Sequence, residues 1–134
     1  MLLEFNMYQF EKLQVWQKAM QLCEVIYEKS RNFPKEEIYG LTSQFRRAVT
    51  SIPLNIAEGY ACRTKKEFVK FLTIALRSQY ETITILKLVY RLKFISKSDY
   101  VVIEEKIAEI GKLLQGLINS LQKKSENQNL KTNN

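Results

Sequence analysis

Apolar residues recur at helical spacing along nearly the whole chain, and the few places where the rhythm fails mark out four segments. From Leu13 to Ser30, the residues Trp16, Ala19, Met20, Cys23, Ile26 and Tyr27 step by three and four, with Gln17, Lys18, Glu24 and Glu28 between them. This spacing predicts a first amphipathic helix. Arg31-Asn32-Phe33-Pro34 interrupts it, and Glu36 and Glu37 then supply negative charge where a helix N-terminus favours it. The second stripe is Ile38, Leu41, Phe45, Ala48, Val49, Ile52 and Ile56, with Gly59 expected to end the helix in a left-handed conformation. Pro53 lies inside this stripe. A proline there removes the hydrogen bond to the Val49 carbonyl and costs about 3 kcal/mol, which predicts a kink that neighbouring helices compensate. A break into two helices at Thr50 to Pro53 is the alternative.

Thr64 to Glu67 reads as a capping box, which opens a third helix through Phe68, Phe71, Leu72, Ala75, Gln79, Ile83, Leu86, Val89 and Leu92. Such a helix is about 40 Å long at 1.5 Å per residue and needs partners along its length. Ser96 to Asp99 offers a further cap, after which Tyr100, Ile103, Ile107, Ile110, Leu114, Leu117 and Leu121 alternate steps of three and four. Residues 125–134 are too polar to join a core and are expected to form a disordered tail after a single domain over 1–124. Four helices with short links predict an all-α, antiparallel up-down four-helix bundle. Val15, Leu22, Val25, Ile74, Ile85 and Leu88 fall off the main stripes and predict leftover apolar surface, which usually marks an interface.

Composition agrees with this reading. A length of 134 residues suits one core, and four Gly and two Pro leave little material for the many turns of a β-fold. No apolar stretch reaches the length of a membrane span, and no positive region followed by an apolar run opens the chain. With Cys23 and Cys62 in separate elements, a disulfide is not expected and a reducing cytoplasm is the natural setting. The chain has no histidine, which removes the usual general base, the commonest metal ligand and the centre of a catalytic triad. Two isolated cysteines do not make a zinc site, and no glycine-rich phosphate loop is present. The sequence therefore predicts neither catalytic residues nor a metal or cofactor.

Charge adds two candidates for binding. The formal net charge of +7, from 21 basic and 14 acidic residues, biases the protein toward polyanions. A basic cluster, Arg63, Lys65, Lys66 and Lys70, lies at the junction of the second and third helices, with Arg46, Arg77 and Arg91 elsewhere on them. Tyr60 beside it is placed to stack on a base or to pack. Arg46, Arg63, Lys65, Lys66, Lys70 and Arg77 are thus candidates for contacting RNA or DNA backbone, and a solvated helix face is the other reading. On the second helix Gln44, Arg47, Ser51, Asn55 and Glu58 step by three and four beside the apolar stripe. Glu81 on the third helix is placed to reach this ridge and to pair with Arg47. The ridge is either a hydrogen-bonded network fixing helix register, within the bundle or between subunits, or a strip that binds a ligand or partner.

Three segments carry a family resemblance: Phe10 to Ala19 (FEKLQVWQKA), Phe33 to Arg47 (FPKEEIYGLTSQFRR) and Ser51 to Gly59 (SIPLNIAEG). From Phe10 to about Lys124 the chain resembles the bacterial four-helix bundle proteins encoded in intervening sequences of 23S ribosomal RNA genes. The third segment is the most specific, since Pro and Asn inside a helix closed by Glu-Gly seldom arise from bundle patterning. The resemblance implies an antiparallel bundle that assembles as a homo-oligomer, a ring of five. It also implies a distant likeness to the accessory protein of diversity-generating retroelements, which binds nucleic acid and a reverse transcriptase. At matching positions the family pattern includes Gln44, Arg47, Ser51, Pro53, Asn55, Glu58, Gly59 and Glu81. The family's Ala-x-Gly-Ser is here Ala75-Leu76-Arg77-Ser78, so Arg77 stands where a glycine is usual, and this face is either exposed or packed differently between subunits.

Five chains at +7 each concentrate +35 of formal charge, which a polyanion would offset. The sequence thus points to a non-catalytic, homo-oligomeric bundle that binds nucleic-acid backbone through basic residues. A protein-binding adaptor with no nucleic-acid role is the alternative, and an enzyme is the third and weakest class.

Overall fold

The computed structural model of the chain describes residues 8–132, with side chains through Lys124. A 3-10 turn at Gln9–Lys12 leads into α1 (Gln14–Ser30); a second such turn, Lys35–Glu37, precedes α2 (Leu41–Tyr60); α3 (Lys65–Arg91) and α4 (Lys97–Thr132) complete the chain. α1 packs on α2, α2 on α3, α3 on α4, and α4 returns to α1, the up-down four-helix bundle expected from the stripes. The α4 backbone stays helical to Thr132, into the stretch expected to be a disordered tail. No Gly or Pro follows Gly116 to stop it. The side chains of 125–134 lie outside the described residues.

The core is one cluster running from Val15 to Ile118, in which Leu22, Ile26, Phe45, Ile52, Ile56, Leu72, Leu86, Ile107 and Leu114 are fully buried. Each such side chain stabilises the fold by about 1.5–3 kcal/mol relative to exposure. The buried face of α1 is rotated from the expected stripe. Val15 and Leu22, expected to be leftover surface, are core, whereas Met20 and Tyr27 are exposed. Ile85 on α3 is likewise core, while Leu88 is exposed. The cause is that each helix touches two neighbours, so its buried arc is wider than a single stripe and is centred between the two contacts.

Three termini differ from expectation for physical reasons. Ile38 lies outside α2 and is exposed, because Lys35–Glu37 forms its own turn and the Glu37 carboxylate then accepts the Leu41 N–H at 3.1 Å. Gly59 does not adopt a left-handed conformation, and α2 continues through it to Tyr60. The glycine is required by packing instead: a Cβ there would lie 2.8 Å from both Phe68 Cδ2 and Phe71 Cβ. The left-handed residue is Lys93, at φ 65°. The Phe94 N–H donates to the Val89 carbonyl and the Lys93 N–H to the Tyr90 carbonyl, a Schellman turn that ends α3 and leaves Leu92 exposed.

α2 is not broken at Pro53. The Val49 carbonyl, which Pro53 leaves without its helical N–H, accepts instead from Cys23 Sγ on α1 at 3.5 Å. Thr64 Oγ1 accepts the Glu67 N–H at the start of α3, and Ser96 Oγ accepts the Asp99 N–H at the start of α4, so both sequence-derived caps form on the hydroxyl side.

Candidate functional site

The polar ridge of α2 divides into an inner and an outer part. Its inner part is Ser51 and Asn55, both half-buried. Asn55 Nδ2 donates to the Ser51 carbonyl at 2.8 Å and to Ser51 Oγ at 3.0 Å, and Ser78 Oγ on α3 donates to Ser51 Oγ at 2.8 Å. Below Ser78, Thr82 Oγ1 donates to the Ser78 carbonyl, and one residue along Gln79 Nε2 reaches the Ile107 carbonyl on α4 at 3.0 Å. Gly111 allows that approach, since a Cβ there would lie 2.7 Å from Gln79 Nε2. Ser78, Gln79 and Thr82 are all buried, so the middle of α3 is pinned to both neighbours by satisfied polar groups. This belongs to the register-fixing reading of the ridge.

The outer part is open. Gln44, Arg47, Glu58 and Glu81 are exposed. Gln44, Arg47, Ser51 and Glu81 line a cleft of about 860 Å³ at the N-terminal end of α2, whose rim carries Tyr39, 96% exposed. Arg47 and Glu81 face the same cleft, but the ion pair expected between them is not formed: among the described residues the ion pairs are Lys18 with Glu109, Lys29 with Asp99 and Lys87 with Glu104. Both ends of the expected pair reach water, where a contact between exposed charges gains little. Glu58 lies at the far end of α2, outside the cleft.

The basic candidates also separate. Lys66, Lys70 and Arg77 are exposed and step by four and then seven along α3, which sets them in one outward row about 17 Å long at 1.5 Å per residue. Glu81 continues the row one turn further on. Arg63 is exposed in the α2–α3 link and Lys65 is half-buried beside it. None of these five takes part in the three ion pairs. Tyr60 packs edge-on against Phe68 with ring centroids 5.9 Å apart, while remaining partly exposed.

Arg46 does not join this group. Its Nε donates to Ser30 Oγ at 2.8 Å and its Nη2 to the Tyr27 carbonyl at 3.4 Å, with the guanidinium 4.7 Å from the centre of the Tyr27 ring. It therefore closes the last turn of α1, whose carbonyls have no helical donors, and ties α1 to α2. It also lies about 21 Å along α2 from Tyr60.

The sequence reading missed Ser78 and Thr82 as members of the polar network. Their spacing of four, in register with Ser51 across the helix pair, was the available signal. No group of His, Cys, Asp and Glu able to hold a metal occurs among the described residues, and no described helix is long and apolar enough to cross a membrane. Cys23 is held as a thiol, its pKa pushed up to about 11 by burial and, less strongly, by Glu24.

These features define a four-helix bundle built around a polar α2–α3 seam. The chain belongs to the 23S rRNA-intervening sequence protein family, whose family model matches residues 11–116. Among solved structures it is similar to a protein of unknown function from the S23 ribosomal protein family of Bacteroides thetaiotaomicron, with 28% identity and a TM-score of 0.73 over 78% of this chain and 97% of that one. No curated protein is a significant match.

Proposed function

We propose that the protein is a non-catalytic, homo-oligomeric helical bundle that binds the phosphate backbone of nucleic acid through the outer row of α3. The observation that carries this is the exposure of Lys66, Lys70 and Arg77 on one face, with no carboxylate within ion-pair distance among the described residues. Arg63, exposed in the α2–α3 link just before the helix start, adds a further positive charge. Such contacts release condensed counterions and give affinity with little sequence preference. The net charge of +7 works in the same direction, more strongly if five chains assemble as the family resemblance implies. The family's description refers to 23S rRNA, so RNA is the first partner to probe. The proposal does not rest on the likeness to the retroelement accessory protein.

The test is binding of a short labelled RNA and its DNA equivalent across a salt series, with light-scattering mass measured alongside. Lys66, Lys70 and Arg77 changed together to Ala should weaken binding to both and flatten its salt dependence, with the oligomer intact. Binding that ignores these substitutions overturns the reading.

A second reading, a protein-binding adaptor, is supported by the open cleft of Gln44, Arg47 and Glu81 with Tyr39 at its rim. Tyr and Arg are among the residue types enriched at interface centres. Affinity for a protein partner that survives the triple α3 substitution and is lost in Tyr39→Ala and Arg47→Ala would favour it.

A further inference from the structure

Between the middle of α3 and α4 the surface opens into a small groove of about 280 Å³. Gln79 and Tyr80 from α3, and Ala108, Gly111, Lys112 and Gln115 from α4, line it. Sites for drug-sized ligands begin at about 300 Å³, so this one suits a single flat ring system. Ala108 and Gly111 put little bulk on the α4 wall, where such a ring would lie.

The groove holds a buried amide with an unused acceptor. Gln79 is only 8% exposed, and its Nε2 donates to the Ile107 carbonyl at 3.0 Å. Because a carbonyl only accepts, that bond fixes which end of the carboxamide is nitrogen and leaves Oε1 as the other end. Among the described residues no N–H or O–H donates to Oε1, and it is not sealed from solvent, so it is open to a donor entering the groove. Tyr80, the next residue, is 64% exposed, and its ring packs on no aromatic ring or cation among the described residues. A free aromatic face beside a free amide acceptor is the pair of groups that holds an unpaired base, one by stacking and one by a hydrogen bond to the base edge.

The charges around the groove lead a strand to it. Arg77, the last cation of the outer α3 row, is three residues before Tyr80, a spacing that sets Cβ atoms about 5–6 Å apart. Glu81 then puts a carboxylate where the row would continue, which turns a phosphate backbone aside. On the α4 wall Lys112 is exposed and takes part in none of the three ion pairs. A backbone that leaves Arg77 for Lys112 crosses the groove beside the Tyr80 ring.

We propose that the α3–α4 groove is a base-binding subsite for single-stranded nucleic acid. One base stacks on Tyr80 and donates an N–H to Gln79 Oε1, while Arg77 and Lys112 hold phosphates on either side. The subsite rests on the reading of the α3 row as a phosphate-binding face, and adds a preference for unpaired strands that phosphate contacts alone do not give.

The experiment is anisotropy titration of three labelled single strands of equal length with the full chain. One is oligodeoxyadenylate, one carries unsubstituted purine in place of adenine and so lacks the amino donor, and one keeps every sugar and phosphate but has no bases. Adenine should bind about tenfold or more tighter than the strand without bases, the scale of one stacked base, with purine between them. Tyr80→Ala, at an exposed position, should bring adenine down to the level of the strand without bases; Tyr80→Phe, which keeps the ring, should restore it. Equal affinity for adenine and the strand without bases, with both weakened when Lys66, Lys70 and Arg77 are changed to Ala, would overturn the subsite and leave the phosphate-binding face standing. Binding of none of the strands would overturn both. Purine binding as tightly as adenine would remove Gln79 from the contact, and deoxyadenosine monophosphate binding as tightly as the strand would assign the groove to a free nucleotide; either result overturns the subsite as proposed.

Discussion

The thiol of Cys23 on α1 donates to the Val49 carbonyl on α2 at 3.5 Å, and Val49 is the residue that Pro53 deprives of its helical partner. The proline is tolerated in the middle of α2 because the neighbouring helix provides a donor at that point. Burial keeps the thiol protonated, its pKa pushed up to about 11, so it stays a donor at any physiological pH. Cys23→Ala should leave a buried carbonyl unsatisfied and cost about 1–3 kcal/mol. In a Pro53→Ala background the helical N–H returns, and the same change should cost less. A double-mutant cycle on denaturant midpoints measures the coupling. Strict additivity would mean the two residues do not act on the same carbonyl.

Gly59 and Gly116 should respond to alanine in opposite directions. In a helix, glycine to alanine ordinarily stabilises by about 0.5–1 kcal/mol. At Gly116 nothing lies within 4 Å of the added Cβ, so that gain is expected in full. At Gly59 the Cβ would meet Phe68 and Phe71 at 2.8 Å, one of those contacts being the Cβ of Phe71. Overpacking there should destabilise by about 1–3 kcal/mol, read as a fall in thermal midpoint.

The four helices and the α2 ridge were legible in the sequence because apolar spacing and polar steps of three and four are local signals. The role of Gly59 was not, since it depends on two phenylalanines of the next helix. Val15, Leu22 and Ile85 were misplaced for a related reason: one-dimensional periodicity finds a stripe, whereas a helix with two neighbours buries an arc. Arg46 looked like any other surface cation, because nothing along the chain marks that Tyr27 and Ser30 lie beneath it. Lys93 carried no glycine or asparagine to announce a left-handed turn.

That turn gives a third prediction. A non-glycine residue in the left-handed region costs about 1–2 kcal/mol in backbone sterics. Lys93→Gly keeps both Schellman hydrogen bonds, which are made by backbone atoms. It should therefore raise stability by about 1 kcal/mol, less the added freedom of glycine in the unfolded chain. Lys93→Val should lower it, as β-branching worsens the same conformation.

On the α3–α4 face Glu104 accepts from the Tyr100 hydroxyl and from Lys87 Nζ, the latter at 3.2 Å. The Tyr100 hydrogen bond and then Lys87 hold its pKa below the usual value of 4.5. The folded state therefore binds this proton less readily than the unfolded chain does. The stability gained is present above pH 4.5 and disappears as pH falls through the lower folded-state value. The difference in denaturant midpoint between the unaltered chain and Glu104→Gln should accordingly shrink on acidification, and added salt should reduce it at neutral pH. A difference that grows toward acid would contradict the assigned direction.

The most direct test of the central claim is the slope of log binding constant against log salt for a short single-stranded RNA, followed by duplex DNA, with and without Lys66, Lys70 and Arg77 changed to Ala. Each phosphate contact contributes about 0.9 to the duplex slope and about 0.7 to that of a single strand. Losing three contacts should make the duplex slope shallower by about 2–3, while Arg46→Ala lowers stability and leaves the slope unchanged. An unaltered slope in the triple variant, or no salt-sensitive binding by the original chain, would contradict the assignment of α3 as a phosphate-binding face.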